Sequence, residues 1–130
     1  MSQSSFNAAI QAALLEEVGA NVGNRVYHLE APDDAAFPHV VHAIVVDDVV
    51  RHFVDDSDVD MNVQIDLYGG DDAGMAALQA VNTALFAGVN RKTLTVAGYN
   101  DAEIFCTLRG EEIEEDDVLR IRTEWRILAS

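Results

Sequence analysis

Residues 117–128 constrain the fold more than any other part of the chain. Leu119, Ile121, Thr123, Trp125 and Ile127 alternate there with Arg120, Arg122, Glu124 and Arg126. Successive side chains on a strand point to opposite faces, so this period of two predicts a strand with one buried and one wet side. Residues 59–68 repeat the pattern, with Met61, Val63, Ile65 and Leu67 set against Asn62, Gln64, Asp66 and Tyr68. Two such strands leave an apolar sheet face that something else in the chain must cover.

Two segments can supply the cover. Residues 4–18 place Phe6, Ile10, Ala13 and Leu14 on one helical face, with Ser4 or Ser5 as a cap and Gly19 and Gly23 marking the end. Residues 72–87 place Leu78, Val81 and Leu85 on an inner face, with Asp71 or Asp72 as the cap and Gly88 as the C-terminal stop. Further strands are predicted at 25–29, 39–46, 93–97 and 102–109. Pro38 suits the entry of the second of these, because proline lacks the N–H that a ladder interior requires. Residues 47–58 read as a hairpin connection with some strand character. Residues 110–117, "GEEIEEDD", read as a solvated acidic loop. The order α-β-β-β-α-β-β-β predicts one α+β domain over residues 1–130, a mainly antiparallel sheet with two helices packed on it.

A chain of 130 residues with 49% hydrophobic content can bury a core without a metal or a disulfide. Cys106 is the only cysteine, which fits folding in a reducing cytoplasm. No segment reaches the length of a membrane span, and the acidic start, with Glu16 and Glu17, does not read as a signal peptide. The net charge of −15 is the unusual quantity. Nucleic-acid affinity comes largely from basic residues that displace counterions, so DNA or RNA binding is disfavoured as the main task. High solubility and a saline habitat both remain open as its origin.

The serines at positions 2, 4, 5, 57 and 130 lack the glycine pattern of a nucleophile elbow. Cys106 lies in an apolar strand and reads as a small core residue. His39 and His42, three apart on a strand, should face opposite ways, a poor arrangement for one metal. Asp56, Asp58 and Asp60 begin a calcium-loop spacing, but Met61 and Leu67 stand where glycine and glutamate are needed. The adjacent acid pairs lie in polar segments without a cleft that would separate their pKa values. Gly69-Gly70 precede a helix, yet Asp71 and Asp72 follow at once and would repel phosphate. No catalytic residue, cofactor site or metal site is therefore assigned.

The linear order of short motifs is more informative. Arg25-Val26-Tyr27, Ala31-Pro32, Pro38 and the strand Val63-Gln64-Ile65-Asp66-Leu67-Tyr68 ahead of a helix resemble the tail completion or tail terminator proteins of long-tailed bacteriophages and gene transfer agents. The likeness spans nearly the whole chain. It implies a non-enzymatic virion protein, assembled in the host cytoplasm. Such a protein closes the tail tube, usually as a hexameric ring of itself, and contacts the tail tube protein and the head connector or completion protein. DNA passes through without specific binding, and no membrane is involved. Another neck or tube ring of the same particle and a monomeric acidic binding module remain as alternatives.

Two sets of residues become candidates in that setting. Arg120, Arg122 and Arg126 carry three of the eight bases on one strand face. They either meet acids of a neighbouring subunit or form a cross-strand ladder within the sheet. Asp55, Asp56, Asp58, Glu111, Glu112, Glu114 and Glu115 are candidates to line the lumen, where negative charge repels phosphates, or to face a partner ring.

Overall fold

The computed structural model describes residues 3–49, 59–70 and 74–130. Helix α1 (Gln3–Val18) ends in a short 3-10 turn (Gly19–Asn21). Strands β1 (Val26–His28), β2 (His39–Val49) and β3 (Val59–Gly70) follow, then helix α2 (Met75–Val89) and strands β4 (Lys92–Thr93), β5 (Ala102–Glu115) and β6 (Val118–Ala129). The strands form one sheet in the order β1-β2-β3-β6-β5-β4. The β1–β2 pair is parallel and the other pairs are antiparallel, so the α+β architecture matches the expectation with one parallel exception.

The register of β3 on β6 explains the core. Met61 faces Ile127, Val63 faces Trp125, Ile65 faces Thr123 and Leu67 faces Ile121. All eight are buried. The period of two therefore places the large apolar residues at the middle of both strands on one side, while Val118 and Leu128 at the ends of β6 fall on the other. Both helices cover that side, α1 with Phe6, Ile10, Leu14 and Val18, and α2 with Leu78, Val81, Leu85 and Val89. Trp125 is the largest side chain in this layer. Its indole Nε1 donates to the Thr123 hydroxyl at 2.7 Å, and that hydroxyl donates to the Ile65 carbonyl at 2.6 Å. The polar handle of the tryptophan is thus satisfied inside the core, which avoids the ~1–3 kcal/mol cost of a buried unpaired donor.

Several boundaries differ from the sequence reading. Ser4 and Ser5 lie inside α1 rather than capping it. The N-cap position of α2 is Gly74, at φ 82°, with no side-chain cap, and positions 71 and 72 lie outside the described residues. Gly88 is interior to α2, which continues to Val89 and is followed by Asn90 in extended geometry. Its role is close approach: a Cβ at Gly88 would lie 2.8 Å from Glu17 Cβ and 2.5 Å from Glu17 Oε1. The strand expected at 93–97 shrinks to Lys92–Thr93, while Leu94 and Val96 still drop into the core beyond it.

The largest correction concerns the acidic loop. Strand β5 runs on to Glu115, so Glu111, Glu112, Glu114 and Glu115 belong to a strand. The turn is only Asp116-Asp117, at φ 50° and 64°. Positive φ at both central residues suits the twist of a tight hairpin, and aspartate tolerates that region better than most residues. Two irregularities in β5, between Cys106 and Leu108 and between Leu108 and Glu111, shift its register on β6.

Gly88→Ala tests the helix contact. The added methyl forces Glu17 away and disturbs its ion pair with Lys92, 2.9 Å apart. Overpacking of this kind costs roughly 1–3 kcal/mol, which outweighs the gain of up to about 1 kcal/mol in helix propensity. Urea unfolding should show a lower midpoint; an unchanged or raised midpoint contradicts the close-approach account.

Candidate assembly surfaces

The side of the sheet away from the helices carries the polar members of the alternation. Asp60, Gln64, Asp66 and Tyr68 project from β3, and Arg120, Arg122, Glu124 and Arg126 from β6. Arg120 donates to Asp66 Oδ2 at 3.0 Å, and Gln64 donates to the same oxygen at 2.7 Å. Arg126 donates through Nε to Asp60 Oδ1 at 2.6 Å and through its terminal nitrogen to Asp60 Oδ2. This two-pronged contact holds the Asp60 carboxyl below its ordinary pKa. Arg122 pairs with Glu124 of its own strand at 3.0 Å. The three candidate arginines thus form ion pairs within the chain. Arg122 is the least committed to another strand, and its Nε is shielded with no protein partner.

At the β1 end the same side becomes aromatic. The His39 ring stacks between Phe37 and Tyr68, with centroids 5.3 and 5.1 Å away, and Tyr27 meets its edge at 5.8 Å. Arg120 lies 5.8 Å from the Tyr68 centroid, joining this cluster to the charged ladder. Phe37 and Leu29 remain exposed beside it. No local pattern marks the cluster, because its members are brought together only by the β1–β2–β3 register. The aromatic flank of Pro38 was the one available sign.

The histidines face opposite ways. His39 is on the open side. His42 is fully buried on the helix side, where its ring stacks on His28 at 5.2 Å. His42 Nε2 lies 2.7 Å from Gln11 Oε1, and Gln11 Nε2 donates to the Val26 carbonyl at 2.9 Å. With Nε2 as the donor, this relay ties α1 to β1 and β2. His42 Nδ1 has no partner, so a second proton would be buried without an acceptor. Burial, with a smaller contribution from His28, lowers the His42 pKa to about 4.

Among the described residues, no group of three His, Cys, Asp or Glu side chains is placed to hold a metal ion. Cys106 is half-buried against the core, and burial pushes its thiol pKa up, away from nucleophilic character. An open groove is lined by Asp60, Thr93, Glu103, Arg126 and Leu128. Its acid–base neighbours Asp60 and Arg126 are locked in their ion pair. No described helix is long and apolar enough to cross a membrane. Asp55, Asp56 and Asp58 lie outside the described residues. Glu111, Glu112, Glu114 and Glu115 are exposed along β5. Glu112 accepts a hydrogen bond from Gln79.

No protein-family model matches the chain, and no curated protein does. Solved structures share the fold. A chain from the virion of a native gene transfer agent particle superimposes with a TM-score of 0.68 at 22% identity, over 95% of this chain and 96% of its own. A second solved structure gives a TM-score of 0.76 at 14% identity, covering all of this chain and 96% of its own.

The histidine relay has a measurable consequence. The unfolded His42 titrates near 6.5 and the folded one near 4. Below pH 6.5 the unfolded state therefore binds the extra proton, and stability falls as pH drops toward 4. At ~1.4 kcal/mol per pH unit, the loss approaches about 3 kcal/mol across that window. His42→Gln should flatten this part of the stability–pH curve measured by urea unfolding. An equally steep decline in the variant contradicts the assignment.

Proposed function

We propose that this chain is a structural protein of a tailed virion or gene transfer agent particle. It closes the tail tube as a hexameric ring and offers the docking surface for the head connector, while DNA passes through. The observation that carries this reading is the likeness in fold, over 95% of the chain, to a chain of a gene transfer agent virion.

The physical features support the same reading. A head-to-tail ring needs two unlike surfaces on opposite sides of each subunit. This sheet has them: an aromatic and apolar end at β1 and β2 with Leu29 and Phe37 exposed, and an acidic end at β5. The net charge of −15 lets a duplex pass without adhering, since phosphates gain nothing from an acidic wall. The arginines on the open side are engaged in ion pairs with Asp66, Glu124 and Asp60 rather than gathered in a cleft, which suits a binding surface better than a catalytic one. Within the ring, Arg122 is the arginine that exchanges its weak same-strand partner for an acid of the neighbouring subunit. Arg120 and Arg126 hold the sheet itself.

A neck or tube ring of the same particle is the second reading, because likeness to a virion chain supports any ring component of this fold. Particle assembly separates the readings. Particles lacking the chain should carry tails of irregular length that fail to join heads. Particles supplied with Arg122→Glu should show the same defect, although the variant alone keeps its near-ultraviolet circular dichroism. Tails of regular length joined to heads in the absence of the chain contradict the terminator role. Normal assembly with the folded Arg122→Glu chain contradicts the role given to Arg122.

A further inference from the structure

Strand β5 spans fourteen residues, yet β4 pairs only with Glu103 and Ile104. Beyond them the Cys106 N–H is taken by Asn90 Oδ1, and the Arg109 carbonyl accepts from Asn82. Among the described residues, no strand lies along the outer edge from Glu111 to Glu115. A row of unpaired backbone donors and acceptors is a template for one more strand.

The side chains on this edge have an unusual order. Glu111 lies opposite Arg122 and Glu115 opposite Val118, on the open side of the sheet. Glu112 and Glu114 lie opposite Ile121 and Leu119, on the helix side. The sequence Glu-Glu-Ile-Glu-Glu therefore shows carboxylates on both faces of one strand. No ion pair compensates these four among the described residues. Arg122 is engaged with Glu124 and Arg120 with Asp66. Charge on an open edge discourages a like-charged strand from adding to it, and a strand of opposite charge relieves the repulsion.

We propose that the outer edge of β5 from Glu111 to Glu115 docks an extended basic segment of a neighbouring protein, which joins the sheet as an added strand. Because the acids alternate onto both faces, the matching strand carries consecutive bases, in the order basic-basic-apolar-basic-basic. A second copy of this chain does not fit. Its one adjacent pair of bases is Arg91-Lys92, with Arg91 facing Glu103 and Lys92 held by Glu16 and Glu17. Its other strand-borne arginines are Arg109, a lone base on β5 itself, and Arg120, Arg122 and Arg126 on the central strand β6. This site goes beyond the ring reading by naming the chemistry of a hetero-partner.

The test uses the full chain and a nine-residue peptide centred on Lys-Lys-Val-Lys-Lys. Three controls accompany it: the same peptide N-methylated at alternate residues, a Glu-for-Lys version, and the chain variant Glu112→Lys/Glu114→Lys. Backbone amide shifts and hydrogen exchange report the position. The peptide should protect amides within residues 107–115. The N-methylated and acidic peptides should not, and the double variant should weaken binding by about tenfold or more at low salt. Equal binding of the N-methylated peptide overturns the added strand in favour of plain charge attraction. Absence of binding, protection elsewhere, or concentration-dependent protection of this edge without peptide, which marks a second copy, each overturns the proposal. The titration reads the free chain and the assembly assay reads the particle, so either idea can fail without the other.

Discussion

Helix cover on one side of the sheet only is the constraint from which the rest of the structure follows. Met61, Val63, Ile65 and Leu67 on β3, with Ile121, Trp125 and Ile127 on β6, make a continuous apolar face at the middle of the sheet. At roughly 1.5–3 kcal/mol for each fully buried large apolar side chain, this face dominates the favourable terms. Two helices are enough to cover it, and the chain contains two. The other side therefore has to be stable while facing outward, and it must be so without helix contacts.

The outward side manages this through diagonal ion pairs. Asp66 is directly opposite Arg122, but its partner is Arg120. Asp60 is opposite Leu128, but its partner is Arg126. Both pairs reach along the same diagonal, as the twist between neighbouring strands brings one diagonal closer than the other. These bonds lock β3 to β6 in register on the side opposite the core. The result is a stiff central pair of strands with weakly covered margins: β1 covers only Val40 to His42 of β2, and β4 only two residues of β5. The edges and the open side are the surfaces that the proposed particle subunit would use.

Much of this was legible in the sequence. The period of two identified β3 and β6 and assigned each side chain to a face. The helical period did the same for α1 and α2. His39 and His42 were correctly set on opposite faces by their spacing. What escaped had its cause outside the segment concerned. Glu111 to Glu115 have low strand propensity, and they are held extended by β6 through the tight Asp116-Asp117 turn. Gly88 looked like a helix stop, yet its reason lies across the helix pair at Glu17. The parallel β1–β2 pairing and the Phe37–His39–Tyr68 stack depend on which strands become neighbours, and no local pattern encodes that. The alternation told which side the arginines occupy but not that Arg120 and Arg126 would reach diagonally to Asp66 and Asp60.

The central claim is that the unburied edges and open side of this sheet serve a closed ring within a particle. Electron cryomicroscopy of intact wild-type particles tests it most directly. The account predicts this fold repeated six times around the tube axis at the head-proximal end of the tail, with the helices against protein and neighbouring sheets in contact. Particles in which that level of the tail is built from a different fold, with this chain absent, would contradict it.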